Sequence, residues 1–434
     1  MKRQMIYGAM VPVLAVLVLL AGCTRKENAA ASSESGTSKI SGELNVLWLA
    51  GMNQTSVIKD MVSTDFIKLF PDLRVNMDES PNNEISQKAL LEATAGTGAY
   101  DVVMQAGTLP QLANIDALYP LDDFIKRDNF DISKMVDNGI SYKGHYYGIP
   151  VRYDAFLFHY NEEQFRAAGL DPDKPPADWD EFEQYGIRLT GNGKFGVSRG
   201  YGNNILAEAF VNTVYSLGGD ICDADNNPVF NNEIGVQALT ILMRELKDAK
   251  IVNPAATGWN YSEEIAGYLS GEAAMFIHYP ARYIDANFKP DRSNIIGKSR
   301  VAPMFGKNVL TKGSYALIFK SSTQKDAAWE FLKWLADAEV QKKVILAGGD
   351  CNPTNIDTLN DPELQARYAS LGAISGQFDK AKTWPQITQT EAISASMNKY
   401  MNMTAVGTMG IKEALDAAVR EARQFLIDSG ELKP

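Results

Sequence analysis

Cysteine and histidine are scarce in this chain, three of each among 434 residues. His145, His159 and His278 are scattered and show no zinc spacing, so no metal site is expected and no cofactor is called for. Basic charge is also in deficit. Lys and Arg number 42 against 53 Asp and Glu, a formal charge of −11, and no Lys/Arg cluster offers nucleic acid a footprint, which excludes it as a partner. Past residue 21 no apolar run approaches the ~20 residues of a membrane span, and no internal repeat is visible. What the chain does have is an apolar fraction of 45%, ample for real cores, over a length that suggests two or three domains at about 150 residues each. Cys222 and Cys351 each lie after a Gly-Gly-Asp stretch. Pairing and two separate buried thiols are both open, because sequence gives no distance.

The start of the chain reads as an export signal. Lys2 and Arg3 precede an uncharged apolar run, residues 6–21, of signal-peptide length. The run ends in Leu20-Ala21-Gly22-Cys23, which resembles the lipobox of bacterial lipoproteins. That resemblance implies cleavage before Cys23, acylation of its thiol, and retention at the outer face of the cytoplasmic membrane with lipid as the only membrane attachment. Residues 24–42, rich in Ala, Ser, Glu, Gly and Thr, cannot bury a core and read as a flexible tether. The folded part is expected from Glu43 onward.

From there strand-like and helix-like segments alternate, at 44–50, 56–70, 73–77, 84–95 and 101–105. Strand, helix, strand, helix, strand reads as two right-handed crossovers of a parallel sheet. Ligands bind such sheets beyond the carboxyl ends of the strands, which places 48–54, 79–83 and 105–109 at a binding edge. A Lys143-Gly144 turn predicts a hairpin leading into 149–160, and Asp178 with Glu181 resembles a capping box. Helices dominate afterwards, at 205–217, 235–249, 325–346 and 411–427.

Three motifs have chemical meaning elsewhere and fail here on context. Residues 191–196 satisfy G-x-G-x-x-G, but a nucleotide fingerprint follows a strand and opens a helix, and here a helix precedes and a strand follows. Asp223, Asp225 and Asn227 have calcium-loop spacing, yet Pro228 stands where glycine is needed and Ile234 where the bidentate Glu belongs. Gly196-Val197-Ser198-Arg199-Gly200 matches the elbow of α/β serine hydrolases, with His278 downstream. Residues 201–204 continue a loop instead of opening a helix, which removes the amide donors of an oxyanion hole. A secreted hydrolase using Ser198 stays as an alternative, as does a non-transport structural or adhesion lipoprotein.

Asp101-Val102-Val103-Met104, Leu121-Asp122-Asp123-Phe124, Tyr146-Tyr147-Gly148-Ile149-Pro150, Phe158-His159-Tyr160-Asn161, Trp179-Asp180-Glu181-Phe182, the stretch 269–276, and 327–335 followed by Gly348-Gly349 and Pro353 form an ordered series. In order and spacing the series resembles the extracellular solute-binding proteins of ABC sugar importers, the maltose-binding-protein-like family, over nearly all of 44–426. The resemblance implies an α/β, two-lobed periplasmic-binding-protein-like fold with a multi-crossing hinge and a ligand cleft between the lobes. It implies a carbohydrate ligand (a mono- or oligosaccharide), ABC permease transmembrane subunits as partners, a monomer, and no catalytic group. Crossings are expected near 152–158, 299–303 and 348–353. The first lobe would then hold 43–151 with 301–347, and the second 152–300 with 348–434.

Sugars present hydroxyls and flat C–H faces, so their sites combine aromatic walls with Asp, Asn, Gln and Arg. On that filter Trp179, Trp329 and Trp334, at apolar helical spacing, are core, while Trp48, Trp259 and Trp384 are candidate walls. Asn53, Gln54 and Gln105 follow strands at the expected binding edge. Arg152 and Asp154 fall at the first crossing, where each needs the other or a polar ligand. Tyr201, Tyr279, Arg282, Asp350 and Asn352 are further candidates, and Gly313-Ser314-Tyr315 resembles the family's small-residue turn, with Ser314 as a contact. Arg152, Arg199 and Arg282 leave an acidic sugar open, since a guanidinium pairs a carboxylate at two points.

Overall fold

A computed structural model describes residues 40–105, 107–136, 139–202, 205–349 and 351–434, without the side chains of Asn82 and Asn83. The export signal, Cys23, most of the expected tether and Asp350 lie outside the described residues.

The first strands are β1 (Gly42–Leu49), β2 (Leu73–Ser80) and β3 (Val102–Gln105). β1 pairs in parallel with both others. The helices Asn53–Met61 and Asn82–Ala95 make the two crossovers. Parallel strands covered on both faces read as continuous apolar runs, and β1 shows how each face is used. Leu44, Val46 and Trp48 enter one core and Leu47 the other, as the two-residue period of a strand requires. Trp48 is therefore not a cleft wall. It is fully buried and meets Phe331 edge to face, with ring centroids 6.2 Å apart.

The hairpin β4 (Ser141–Tyr142) and β5 (His145–Tyr146) turns at Lys143 and Gly144, both with positive φ, as a two-residue hairpin loop needs. Then follow β6 (Gly148–Ala155), β7 (Leu157–Asn161), β8 (Phe195–Ser198), β9 (Ala273–His278), β10 (Ser299–Pro303), β11 (Val309–Ile318) and β12 (Ala381–Thr383). β11 joins the first sheet together. It runs antiparallel to β3 and to β6 and parallel to β12. The second sheet has the order β10-β7-β9-β8. The helices Leu206–Leu217, Glu233–Lys247, Thr390–Ala405 and Ile411–Asp428 surround it, and Phe158, Phe182, Phe210, Met401 and Leu415 fill its core.

The chain passes between the sheets three times: at Phe156 between β6 and β7, between β10 and β11, and after β12. The third passage differs from the expected 348–353. There the chain stays on the first lobe, and the helices Ile356–Leu359, Pro362–Arg367 and Ala369–Ser375 put Leu359, Leu364, Leu371 and Ile374 into the first core. Residues 351–375 thus pack with the first lobe instead of the second. An amphipathic helix fits any apolar face, and its periodicity does not say which. Cys222 and Cys351 lie in different cores and are not joined by a disulfide. Among the described residues no helix is long and apolar enough to cross a membrane.

Candidate functional site

Where the chain first crosses, β6 and β11 pair antiparallel, with Lys312 opposite Asp154 and Ser314 opposite Arg152. Residues directly opposite share a face, and so do residues two apart on one strand. Arg152, Asp154, Lys312 and Ser314 therefore form one polar strip, while Tyr153 and Ala155 point into the first core. Gly313-Ser314-Tyr315 is not a turn: it lies inside β11, at a register shift between Ser314 and Tyr315.

The strip is knitted by charge. Arg152 Nε lies 2.8 Å from Asp154 Oδ2, and Asp154 holds the guanidinium above its ordinary pKa. The other Asp154 oxygen accepts from Asn352 Nδ2 at 3.1 Å, and the same amide group donates to the Tyr153 carbonyl at 2.9 Å. Lys312 Nζ donates to Glu208 Oε1 at 2.6 Å across to the second lobe, where Tyr279 donates its hydroxyl to Glu208 Oε2 at 2.9 Å. Burial, with Glu208 beside it, pushes the Tyr279 phenol well above its ordinary value, so it remains a donor. Arg282 Nη1 lies 2.9 Å from Asp285 Oδ2. Side-chain exposure runs from 5% at Asp154 through 24% at Arg152 to 43% at Lys312, so the strip is buried at one end and open at the other. Glu208 and Lys312 are members that the sequence did not single out.

Gln54, Asn352, Arg152, Asp154, Ser314 and Tyr279 thus come together at or beside the hinge. Gln54 Nε2 donates to the Val151 carbonyl at 2.8 Å, and Gln54 lines a cavity of about 20 Å³ together with Cys351 and Asn352, room for one water. Other candidates serve packing instead. Gln105 is buried within the first lobe, donating to the Ile85 carbonyl and accepting from Thr108 Oγ1 at 2.7 Å. Tyr201 is fully buried in the second core, its hydroxyl donating to the Leu242 carbonyl at 2.7 Å, so it is no cleft contact. Trp259 and Trp384 are half-buried at the margin of that core, and Asn53 is exposed.

The hydrolase alternative loses its nucleophile. Ser198 is buried and donates Oγ to the Glu264 carbonyl at 2.6 Å, and a Cβ added at Gly267 would come within 2.6 Å of that oxygen. No substrate reaches such a hydroxyl. Arg199, its neighbour, forms a buried two-point pair with Glu245, at 2.6 and 3.3 Å, which holds it protonated inside the second lobe and away from any ligand.

The sequence pattern of the family described as bacterial extracellular solute-binding protein matches residues 51–342. The chain belongs to that family. It is 27% identical over 368 residues, 81% of this chain and 82% of the other, to a probable amino-acid ABC transporter periplasmic-binding protein of Sinorhizobium fredii. It is 24% identical over 429 residues to the mannitol-binding protein of Pseudomonas aeruginosa, covering 88% of this chain and 94% of that one. Among solved structures, the sugar-binding protein MalE of Xanthomonas citri matches with a TM-score of 0.79 at 21% identity, over 90% of this chain and 98% of the other. Maltose-bound MalE3 of T. maritima matches at 0.77 and 21%, over 88% and 100%. The likeness establishes the two-lobed binding-protein fold, in which the polar strip lies at the hinge between lobes.

Proposed function

We propose that this family member is the receptor of an ABC importer for a neutral carbohydrate or polyol, bound over the hinge strip and delivered to permease transmembrane subunits. The observation behind this reading is that the strip is polar but balanced. Within the strip Arg152 faces Asp154 and Lys312 faces Glu208, and beside it Arg282 shares Asp285 with the more exposed Arg292. Such a floor offers hydroxyls both donors and acceptors without net charge. A uronate would need a cation to spare; Arg152 and Arg199 each have a carboxylate of their own, while Arg282 shares Asp285 with Arg292, which is why glucuronate belongs in the test. Relatives support the solute class: mannitol-binding and arabinooligosaccharide-binding proteins in sequence, and structures holding ribitol and α-D-tagatose. The Sinorhizobium fredii relative is described as a probable amino-acid carrier, so amino acids belong in the test.

Calorimetric titration of the 43–434 fragment with mannitol, ribitol, tagatose, maltose, glucuronate and a set of amino acids decides the matter. Saturable binding of a neutral sugar or polyol is expected. Preference for glucuronate or for an amino acid overturns the reading. Acylation at Cys23 fits a receptor held near its permease, where tethering raises the local concentration, and the protein acts as a monomer.

A further inference from the structure

We propose that Lys312, Glu208 and Tyr279 form a latch between the lobes, which favours the closed arrangement and makes closure sensitive to ionic strength even around an uncharged solute. The latch goes beyond the carbohydrate reading above, because it belongs to the protein whichever neutral solute fills the cleft.

The helix Leu206–Leu217 of the second lobe lies along β11 and meets it in two different ways. Toward its carboxyl end the contacts are anchors. Lys307 N and Asn308 N, on the second passage between the sheets, donate to the carbonyls of Ser216 and Tyr215 at 2.8 and 3.2 Å. Leu310 N donates to the buried Asn212 Oδ1 at 3.0 Å, and the Tyr215 hydroxyl donates to the Thr383 carbonyl of β12 at 2.9 Å. Buried backbone groups are expensive to leave unpaired, so this end of the helix moves with the passage.

Nearer the amino end the contact changes character. Glu208 lies one helical turn before Asn212, and Lys312 lies two residues past Leu310, about 7 Å beyond the anchor at the rise of a strand. Here side-chain tips meet. Lys312 Nζ donates to Glu208 Oε1 at 2.6 Å, the Tyr279 hydroxyl holds the other carboxylate oxygen at 2.9 Å, and Nζ stands 4.8 Å from the centroid of the Tyr279 ring. One ammonium of the strip thus engages two second-lobe groups, a carboxylate and a π face. Tyr279 is in turn packed on Phe156 of the first passage, with ring centroids 4.6 Å apart, which seats the receiving side of the clasp. Contacts between tips beyond the anchor part when the lobes turn away from each other, while the anchors do not. Both charged side chains are partly exposed, so ions reach the pair and screen it.

The same chemistry occurs at the fixed end of the helix, where it serves as a control. Lys382 of β12 pairs with Asp220 and stands 4.9 Å from the Tyr215 ring centroid. Its neighbour Thr383 is the residue held by the Tyr215 hydroxyl, so this clasp lies at an anchor and has no opening to resist.

The test compares wild type, the charge-balanced double variant Lys312→Met/Glu208→Gln, and Lys382→Met. Solution scattering without solute gives the radius of gyration at ~0.1 M and ~1 M salt, calorimetry with maltose and D-mannitol gives affinity at both, and melting temperatures confirm that each protein is folded. The double variant is expected to have a larger radius than wild type at low salt and to bind about two- to fivefold more weakly, the worth of a partly exposed ion pair. High salt should bring wild type toward the double variant and leave the double variant unchanged, since a neutral solute has no charge for salt to act on. Lys382→Met should follow wild type throughout. Scattering that is the same in wild type and the double variant overturns the latch, and weaker binding with no change in scattering or in salt response makes Lys312 and Glu208 solute contacts only. Failure of wild type to bind either sugar overturns the carbohydrate reading separately, and scattering then decides the latch alone.

Discussion

Gln377 donates its side-chain amide to the carbonyl of Phe156 at 2.9 Å. The same amide accepts from the backbone of Met304 at 2.7 Å, and the residue is 1% exposed. Phe156 lies on the first passage between the sheets, Met304 on the second, and Gln377 just before β12 leads into the third. One buried side chain therefore ties all three crossings together. This gives the hinge a fixed pivot, about which lobes turn while the crossing strands keep their register.

Removing that pivot exposes its worth. Gln377→Ala leaves a buried carbonyl and a buried N–H unpaired, at about 1–3 kcal/mol each, so a loss of about 2–6 kcal/mol is expected by urea denaturation. Gln377→Glu should cost at least as much, because a carboxylate cannot donate to Phe156 and would be buried charged. A loss under about 0.5 kcal/mol for both variants, the range of ordinary surface substitutions, would show that the crossings hold without the bracket.

The first sheet was legible because its cues are local: apolar runs, alternating segment types and a tight turn at Lys143-Gly144. What the sequence hid is the pairing between distant segments. Lys312 lies two residues from Ser314, and the period of a strand would have pointed to it, but Gly313-Ser314-Tyr315 reads locally as a turn. Glu208 shows only as a lone carboxylate in the apolar helix Leu206–Leu217. Trp48 and Tyr201 were misleading for the opposite reason. A large aromatic beside a predicted edge looks like a wall until the second face of its strand or loop is also seen to be covered.

The strip makes its own prediction. Asp154→Asn keeps the shape but removes the charge that matches Arg152, and Glu208→Gln does the same for Lys312. Each is expected to weaken solute binding tenfold or more by calorimetry, since the remaining cation is unbalanced where the solute's hydroxyls must bind. Glu208→Gln, at the open end, should alter the melting temperature by no more than a few degrees, whereas Asp154→Asn, at the buried end, also lowers it. Unchanged affinity in both would place the solute elsewhere.

Within the second lobe, Arg199→Ala strands Glu245 as a buried charge, and a loss of about 3–5 kcal/mol in urea unfolding is expected. Ser198→Ala removes one hydrogen bond to the Glu264 carbonyl and should cost about 1 kcal/mol. If esterase activity were found in wild type and lost in Ser198→Ala, the packing role given to Ser198 would be wrong.

Lipid attachment is checked by mass spectrometry of the membrane-bound protein. A diacylglyceryl group is expected on Cys23 at the new N-terminus, and Cys23→Ser should leave the protein unacylated and unprocessed. Recovery of wild type with a free thiol at Cys23 would remove the anchor.

Glu264 sets a pH dependence that separates it from the surface acids. It is buried in the helix Tyr261–Leu269, with Arg199, Glu245 and Glu208 as charged neighbours, and burial pushes its carboxyl up to about 8. In the unfolded chain the same group titrates near ~4.3. Between those two values the folded protein holds a proton that the unfolded chain has released. Folding then takes up a proton, and stability falls as pH rises, by up to about 1.4 kcal/mol per pH unit, until the folded carboxyl itself ionises. The contribution is complete below ~4.3 and gone above about 8. Glu264→Gln keeps a neutral side chain of the same shape and should flatten this limb. Urea midpoints for both proteins across the range from about pH 5 to about pH 8 read the difference directly. Parallel curves would mean that Glu264 is already ionised in the folded protein, with Arg199 shared between it and Glu245.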